Sequence, residues 1–368
     1  MSEPIGVGII GAGDIANLTH IPGYKGLPGK ARIVAVADVV DKVAEKVAKE
    51  HDIPMAFDNY DELLALEEVD AVSICTPPVA HRDATIAALE AGKHVLCEKP
   101  MAMNAAEAQE MVDAAERTGQ LLAIGFQSRF SSEAQSLKRL IESGELGDIY
   151  YGRAVYNRRR GLPPRGSFHQ FKGQSGGGPL LDVGVHVLDL ALWLMGHPKP
   201  VSVVGSAYCK FGNRGDVYRG GVLSQRSHHG TWNDKEFEVE DFAVAMIKLD
   251  NGATLNLECS WALNIAQDLQ SIVLCGDEGG AELSPLKIFK DDGHMLIDWE
   301  PRSLADSAQR GSELSSAFID MHAKSIENFV NAARGEGEPL VKPEQGLCVA
   351  QIVDAIYRSV DSGKLVTI

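Results

Sequence analysis

The stretch that decides the fold is Ile5-Gly-Val-Gly-Ile-Ile-Gly11-Ala-Gly13-Asp-Ile-Ala16. Its first half is a short apolar run that predicts a buried strand, and Asp14–Leu18 predicts the start of a helix. Between them the residues fit the pattern G-x-G-x-x-[G/A]. Gly11 permits a tight turn, Gly13 lets a ligand approach the backbone, and Ala16 is small enough for close helix–strand packing. Because free N–H groups at a helix start attract phosphates, the stretch predicts a dinucleotide-binding turn.

The second strand indicates which dinucleotide binds. Arg32–Ala37 is predicted as this strand, and Asp38 follows it directly. A carboxylate at this point can hold the adenosine ribose hydroxyls and would repel a 2′-phosphate. Val39 and Val40 come next, with no arginine to attract such a phosphate. The sequence therefore predicts NAD rather than NADP as the cofactor. The alternative is a glycine turn in an α/β domain that binds no nucleotide.

Strand-like and helix-like segments alternate up to about residue 125, which predicts a parallel sheet with crossover helices. The later segments of this region are predicted as helix Lys42–Glu50, strand Ala71–Cys75, helix His81–Ala91, strand His94–Cys97, helix Ala105–Thr118 and strand Leu121–Gly125. The fold class is therefore α/β. We expect a Rossmann (doubly wound parallel sheet) domain over residues 1–125 and a second domain over residues 126–368.

The second region has a different pattern. Its clearest signal is a hairpin, because Phe242–Leu249 and Thr254–Trp261 are β-rich runs around the turn Asp250-Asn-Gly252. The other segments are predicted as helix Ser132–Ser143, strand Ile149–Arg158, loop Gly161–Pro179, helix Leu180–Leu194, strand Ser271–Cys275 and helices Ser315–Ala333 and Pro343–Ser362. Strands with flanking helices and antiparallel pairing are thus expected.

Composition excludes several classes of protein. The 368 residues carry a formal net charge of −16, so the average field repels nucleic acid and anionic membranes. The sequence contains no run of about 18 apolar residues, so no membrane-spanning helix is predicted. The N-terminus does not resemble a signal peptide. The six cysteines form no CxxC pair, which favours reduced, mostly buried thiols over a metal or disulfide role. A cytoplasmic enzyme with no metal site fits these features.

A second chemical signal is Cys97-Glu98-Lys99-Pro100 at the end of a predicted strand. Ligands of open α/β sheets bind beyond the carboxyl ends of strands, and Pro100 biases Lys99 away from helix. Lys99 is therefore expected near the nicotinamide, where it could donate to a substrate hydroxyl or assist its deprotonation. The alternative is a surface lysine in a turn.

A third signal lies on the apolar helix Pro179–Met195. Its spacing places four side chains on one face: Asp182, His186, Asp189 and Trp193. The other positions are also apolar, so this polar stripe is not expected to face solvent. Asp182 and His186 could orient each other, with His186 poised near neutral pH to accept a proton. The alternative is a buried pair that holds the helix in the core.

Together, the Gly11 turn, Thr76-Pro77, Glu98-Lys99-Pro100 and Asp182-Val-Gly-Val-His186 resemble the Gfo/Idh/MocA family of NAD(P)-dependent oxidoreductases. The resemblance implies a C-terminal α/β domain whose large, mostly antiparallel open sheet supports homodimers or homotetramers. Arg158-Arg-Arg-Gly-Leu-Pro163 resembles the branch that acts on inositols and related sugars, including levoglucosan dehydrogenase.

These lines give the expected site. The expected catalytic residues are Lys99, His186 and Asp182. Those expected to bind the cofactor are Gly11, Gly13, Asp14, Ile15, Asp38 and Lys99, and the resemblance implies that Thr76, Pro77, His81 and Glu98 also lie beside it. Those expected to bind substrate are Lys99, Arg158, Arg165, His169, Asp182, His186 and His322, with Trp193 as a further candidate. His322 could equally be an ordinary histidine on a helix face.

The expected reaction is NAD-dependent oxidation of a secondary hydroxyl of a cyclic polyol or pyranose, with His186 as base and Lys99 stabilising the oxygen. Three alternatives stay open: an NAD-dependent glycoside 3-dehydrogenase or levoglucosan-type enzyme, an NAD-using glycoside hydrolase, and a non-enzymatic sugar- or NAD-binding regulator. The arginine- and histidine-rich loops at 158–179 and 209–233 either accept an acidic sugar or offset the acidic average of the chain.

Overall fold

The computed structural model describes residues 3–214, 237–301 and 314–368. Its first sheet has six parallel strands in the order β3-β2-β1-β4-β5-β6. These are β1 (Ile5–Ile10), β2 (Ala31–Ala37), β3 (Met55–Phe57), β4 (Ala71–Ile74), β5 (His94–Cys97) and β6 (Leu122–Ile124). The strand order reverses between β1 and β4, and such a switch point opens a crevice at the carboxyl ends of the strands.

The connecting helices follow the predicted segments closely. They are α1 (Ile21–Lys25), which continues a π-helical turn at Ala16–His20, then α2 (Val43–His51), α3 (Tyr60–Leu64), α4 (His81–Glu90) and α5 (Ala105–Thr118). Local chemistry sets the ends of α5, because the Asn104 side chain accepts the Glu107 N–H and Gly119 adopts a φ of +68°. The α/β class and the parallel sheet are confirmed. The short β3 and α3 had no sequence signal.

The second sheet has nine strands in the order β14-β13-β12-β11-β7-β10-β9-β8-β15. These are β7 (Ile149–Asn157), β8 (Pro200–Tyr208), β9 (Phe242–Leu249), β10 (Thr254–Ser260), β11 (Leu269–Gly276), β12 (Gly280–Leu283), β13 (Lys287–Asp291), β14 (Leu296–Trp299) and β15 (Val366–Thr367). All neighbours are antiparallel except β7 and β10, which run parallel. The mostly antiparallel sheet and its β9–β10 hairpin are therefore confirmed.

Helices cover one face of this sheet. They are α6 (Ser132–Glu142), α8 (Val185–Leu194) and α10 (Pro343–Ser362). Two further helices lie elsewhere, the single turn α7 (Lys172–Ser175) in the loop before α8 and the long helix α9 (Leu314–Ala333). The strand β9 alternates buried with partly or fully exposed residues, so its inner face packs against helices while Met246 is exposed on the other. Helix α9 instead returns to the first sheet, where Phe329 packs with Ile9 and Ile21 in a buried cluster.

The segment Lys172–Leu194 is long and apolar enough to cross a membrane by length and composition. However, 89% of its apolar window is buried inside the fold, as in the core helix of a globular protein. It contains α8, whose first residue follows a π-helical turn at Leu180–Gly184.

The predicted loop at 161–179 is correct apart from two short helical turns.

Candidate active site

In the glycine turn after β1, the two glycines have the different surroundings that their pattern predicts: Gly11 is tightly packed, and Gly13 has an open side. Gly11 adopts a φ of +90°, and a Cβ there would lie 2.7 Å from the backbone carbon of Cys75. Only glycine fits this position. A Cβ on Gly13 would meet no atom within 4 Å, while Ala16 is fully buried under the helix. The open side of Gly13, next to the helix start at Asp14 and Ile15, fits the approach of a pyrophosphate.

Asp38 lies beside this turn. One carboxylate oxygen accepts the Ala12 N–H at 2.8 Å, and the other accepts the Val40 N–H at 2.9 Å. The side chain is therefore held at the end of β2, where each oxygen keeps a lone pair for a ribose hydroxyl. Val39 is 82% exposed beside it, and no arginine lies next to it in sequence. The arrangement fits an unphosphorylated ribose.

His81 joins the ends of two neighbouring strands. Its Nδ1 lies 2.8 Å from the carbonyl oxygen of Pro100, and its Nε2 lies 2.9 Å from that of Thr76. Burial lowers the pKa of His81. The ring therefore ties the Thr76-Pro77 turn after β4 to the Lys99-Pro100 turn after β5. Its role is to fix these turns relative to each other.

Glu98 is almost fully buried, at 5% exposure, within a polar network. Its Oε1 lies 3.0 Å from His20 Nε2 and 4.0 Å from His322 Nε2, while Oε2 accepts the Lys99 N–H at 3.2 Å. His20 continues to Ser73, whose hydroxyl lies 2.7 Å from that of Tyr24. Although burial opposes ionisation, His20, His322 and Lys99 lower the pKa of Glu98 to about 2.

This network was not predicted. Glu98 was expected beside the cofactor, yet its carboxylate faces two histidines and the backbone of Lys99. His322 is 3% exposed and contacts the Phe318 carbonyl through Nδ1. Its Nε2 has no hydrogen-bond partner among the described residues. Its contact with substrate stays a prediction.

Lys99, Asp182 and Trp261 form the centre of the site. The ammonium of Lys99 donates to the Asp182 carbonyl oxygen at 2.9 Å and lies 3.4 Å from its Oδ1. The other carboxylate oxygen, Oδ2, accepts the indole N–H of Trp261 at 2.8 Å. Although burial opposes it, Lys99, with smaller contributions from His169 and Arg158, holds the pKa of Asp182 well below its usual range. Asp182 is thus a fixed anion.

Trp261 is the residue that sequence reasoning missed. It directly follows β10 in the chain and is 1% exposed. Its ring packs edge-on against His169 and Phe237. In the sequence it reads as the last apolar residue of a hairpin strand, with no spacing that links it to Asp182. Only the fold brings the two side chains together.

His186 also faces this centre but does not hydrogen-bond with Asp182, contrary to the expectation that the two orient each other. The π-helical turn at Leu180–Gly184 precedes it, so a spacing of four no longer stacks residues as in an α-helix. Its Nδ1 is buried without a partner among the described residues. Burial, followed by the charge of Lys99, lowers the pKa of His186 to about 3. The expectation of a pKa near neutrality is therefore wrong, and the imidazole is neutral at physiological pH.

The predicted polar stripe divides in two. Asp189 forms a bidentate ion pair with Arg129, and both side chains are essentially inaccessible to solvent. Trp193 is 6% exposed and packs beneath Arg129 and Lys138. These two positions are core residues, as the alternative interpretation proposed for the stripe.

The remaining predicted substrate contacts differ in position. His169 packs beside Trp261, and Arg158 stacks over Tyr156 near Asp182. Arg165 is exposed in the loop, and its contact with substrate stays a prediction. Most of the arginine- and histidine-rich loop at 209–233 lies outside the described residues. Among the residues that are described, no group of three or more His, Cys, Asp or Glu side chains could hold a metal ion.

Comparison with known proteins agrees with this geometry. Residues 5–126 match the oxidoreductase family with an NAD-binding Rossmann fold, and residues 134–282 match the GFO/IDH/MocA C-terminal domain. The chain is 35% identical to D-glucoside 3-dehydrogenase of Escherichia coli (strain K12) over 98% of this chain and 97% of that protein.

Two solved structures extend the likeness to the whole fold. A levoglucosan dehydrogenase in complex with NADH and levoglucosan superimposes with a TM-score of 0.81 at 22% identity, covering 100% of both chains. An NAD-binding oxidoreductase from Klebsiella pneumoniae has a TM-score of 0.81 at 25% identity, covering 100% of this chain and 99% of the other. The two family matches, which together cover most of the chain, and the likeness to D-glucoside 3-dehydrogenase show that the chain belongs to the Gfo/Idh/MocA family of NAD-binding oxidoreductases.

Proposed function

We propose that this protein is an NAD-dependent dehydrogenase that oxidises a secondary hydroxyl of a pyranose or cyclic polyol. The observation that carries the proposal is the Lys99–Asp182–Trp261 chain of contacts beside a neutral His186. It combines a fixed cation, a fixed anion and an unprotonated base at one point. This set matches the needs of an alcohol that must lose a proton while its carbon loses a hydride.

Each side chain has a distinct role in this proposal. His186 accepts the hydroxyl proton, since its imidazole is neutral. Lys99 donates to the same oxygen and stabilises its developing negative charge. Asp182 accepts from a neighbouring hydroxyl of the ring and orients it, while Trp261 holds the carboxylate in place. The bound nicotinamide supplies the acceptor for the hydride.

A pyranose glycoside is the first substrate class to test. The support is the 35% identity to D-glucoside 3-dehydrogenase over almost the whole length of both chains. Inositols remain in the same chemical class, because they offer a ring of secondary hydroxyls without an anomeric centre.

The test is an NAD-reduction assay with methyl glucosides, levoglucosan, myo-inositol and scyllo-inositol, together with Lys99→Met and His186→Asn variants. We expect NADH to accumulate with at least one substrate, and kcat to fall about 100-fold or more in each variant. Losses below about tenfold in both variants would contradict the assigned roles. Release of an aglycone without net NADH would instead identify a hydrolase, and no turnover with intact binding would identify a regulator.

Two further properties belong to this proposal. The second sheet exposes apolar side chains on its outer face, including Tyr208 and Met246 on neighbouring strands, which supports a homodimer or homotetramer formed through this sheet. Light scattering of the purified protein measures that assembly, and a monomer would contradict it. We also place the enzyme in the cytoplasm and the domain division near residue 125. Fractionation of the host cell and limited proteolysis test these two statements.

A further inference from the structure

Three consecutive arginines follow β7, and the structure gives them different environments. Arg159 donates to the Ala266 carbonyl, and its backbone N–H contacts Asp268. Arg160 donates to the carbonyl of Leu263 and to the side chain of Asn264. Both guanidinium groups therefore contact the loop after β10 at ordinary hydrogen-bond distances.

Arg158 is placed differently. Its guanidinium lies over the Tyr156 ring, 5.3 Å from the centroid, and its nearest polar contact is the Tyr156 hydroxyl at 3.5 Å. A Cβ on Gly161 would lie 2.6 Å from Arg158 Cδ, so the absence of a side chain at residue 161 leaves space for this arginine. The side chain is half-buried and held by packing.

The charge of Arg158 has no close partner in the described part of the chain. Among the described residues, no carboxylate lies within 4.0 Å of its guanidinium, and the long contact with Tyr156 leaves most of its five N–H donors unused. The nearby carboxylate of Asp182 is already engaged by Lys99 and Trp261. Arg158 makes a small contribution to two nearby pKa values: that of His169, which burial chiefly lowers, and that of Asp182, which Lys99 chiefly lowers against the effect of burial.

We propose that Arg158 binds an anionic substituent, a carboxylate or a phosphate, on the sugar that this site oxidises. A partly desolvated guanidinium with free donors favours a two-oxygen anion, because the pair forms two parallel charge-assisted hydrogen bonds. The substrate class is then an acidic glycoside, such as a uronide or a sugar phosphate, rather than a neutral one. This inference rests on the proposed function.

The experiment compares kcat/KM near neutral pH for methyl glucuronide, methyl glucoside 6-phosphate and methyl glucoside. Wild-type enzyme is expected to prefer an anionic substrate over the neutral one by about tenfold or more, and the preferred anion distinguishes carboxylate from phosphate. In Arg158→Gln the anionic-to-neutral ratio should fall about 10- to 100-fold. Arg158→Lys, which keeps the charge but not the fork, should retain part of the ratio.

Arg159→Gln is the matched control, because the Arg159 guanidinium contacts the loop after β10. The anionic-to-neutral ratio of kcat/KM in this variant should equal that of the wild type. A wild-type preference for the neutral glycoside, or an unchanged ratio in Arg158→Gln, would overturn the inference while leaving the dehydrogenase itself intact. If no sugar is oxidised, calorimetry with glucuronate and glucose 6-phosphate on the NADH-loaded protein separates the two proposals. If an anion binds to the wild type and this binding is lost in Arg158→Gln, the anion site is supported even though no sugar is oxidised. If neither anion binds to the wild type, the anion site is contradicted as well.

Discussion

The most informative prediction concerns the pH dependence of catalysis. Burial and the charge of Lys99 lower the pKa of His186 to about 3, against an ordinary value of 6.5. A base must be unprotonated to accept the hydroxyl proton, so activity requires the neutral imidazole. A histidine with a lowered pKa keeps this form as the pH falls, and loses it only on passing through the lowered value.

The size of the effect is large. At pH 5, a histidine with a pKa of about 3 is roughly 1% protonated, whereas one with the ordinary pKa is about 97% protonated. We therefore expect kcat/KM at saturating NAD to change less than about twofold between roughly pH 5.5 and 7.5. An ordinary histidine would cost about tenfold over the same range. Initial rates of NADH formation in buffers of constant ionic strength measure this pH dependence of kcat/KM.

A control is needed for unfolding in acid. The pKa values of His81, His169 and His322 are also lowered by burial, so the unfolded chain binds more protons below about pH 6.5 and stability falls in that direction. Thermal melts at each pH identify the range in which the protein remains folded. An acid limb in kcat/KM with a midpoint near pH 6.5, in protein shown to be folded, would refute the assignment of His186 as a buried neutral base.

Two further predictions follow from single contacts. Trp261→Phe removes the indole N–H that Asp182 accepts, so kcat should fall about 10-fold, and the smaller ring in this buried position should also lower the melting temperature; wild-type kcat in this variant would show that the contact does not position the carboxylate. Asp38→Ala removes the acceptor for Ala12 N–H and for the ribose, so kcat/KM should fall about tenfold for NAD and rise for NADP. Steady-state kinetics with both cofactors measure this, and a wild-type preference for NADP would contradict it.

The first sheet could be predicted because its signals are local. A strand buried on both faces is a continuous apolar run, and glycine, asparagine and proline mark its turns within a few residues. Asn104 and Gly119 fix the predicted helix Ala105–Thr118 to the residue. The last two strands at one end of the second sheet, β13 and β14, are short and largely exposed or half-exposed, so no periodic pattern indicates them.

The site was predicted only in part, for the same reason. Lys99 and Asp182 were identified by their local motifs, and the fold joins them. However, the partners that set their chemistry lie far away in sequence: Trp261 is 79 residues from Asp182, and His20 is 78 residues from Glu98. No pattern within one segment encodes such a contact, because it depends on which strands become neighbours.

The two carboxylates of the 180–194 helical segment show how far this limit extends. Asp182 and Asp189 are seven residues apart on one apolar segment, and by spacing alone they are equivalent. Arg129 reaches Asp189 with a bidentate pair in the core, where the cost of burying both charges is offset only because every oxygen is hydrogen-bonded. Asp182 instead contacts a lysine and an indole, and its side chain is 23% exposed against 1% for Asp189, so its charge remains accessible to a ligand. The cation that each acid meets therefore decides which one is structural and which one is functional.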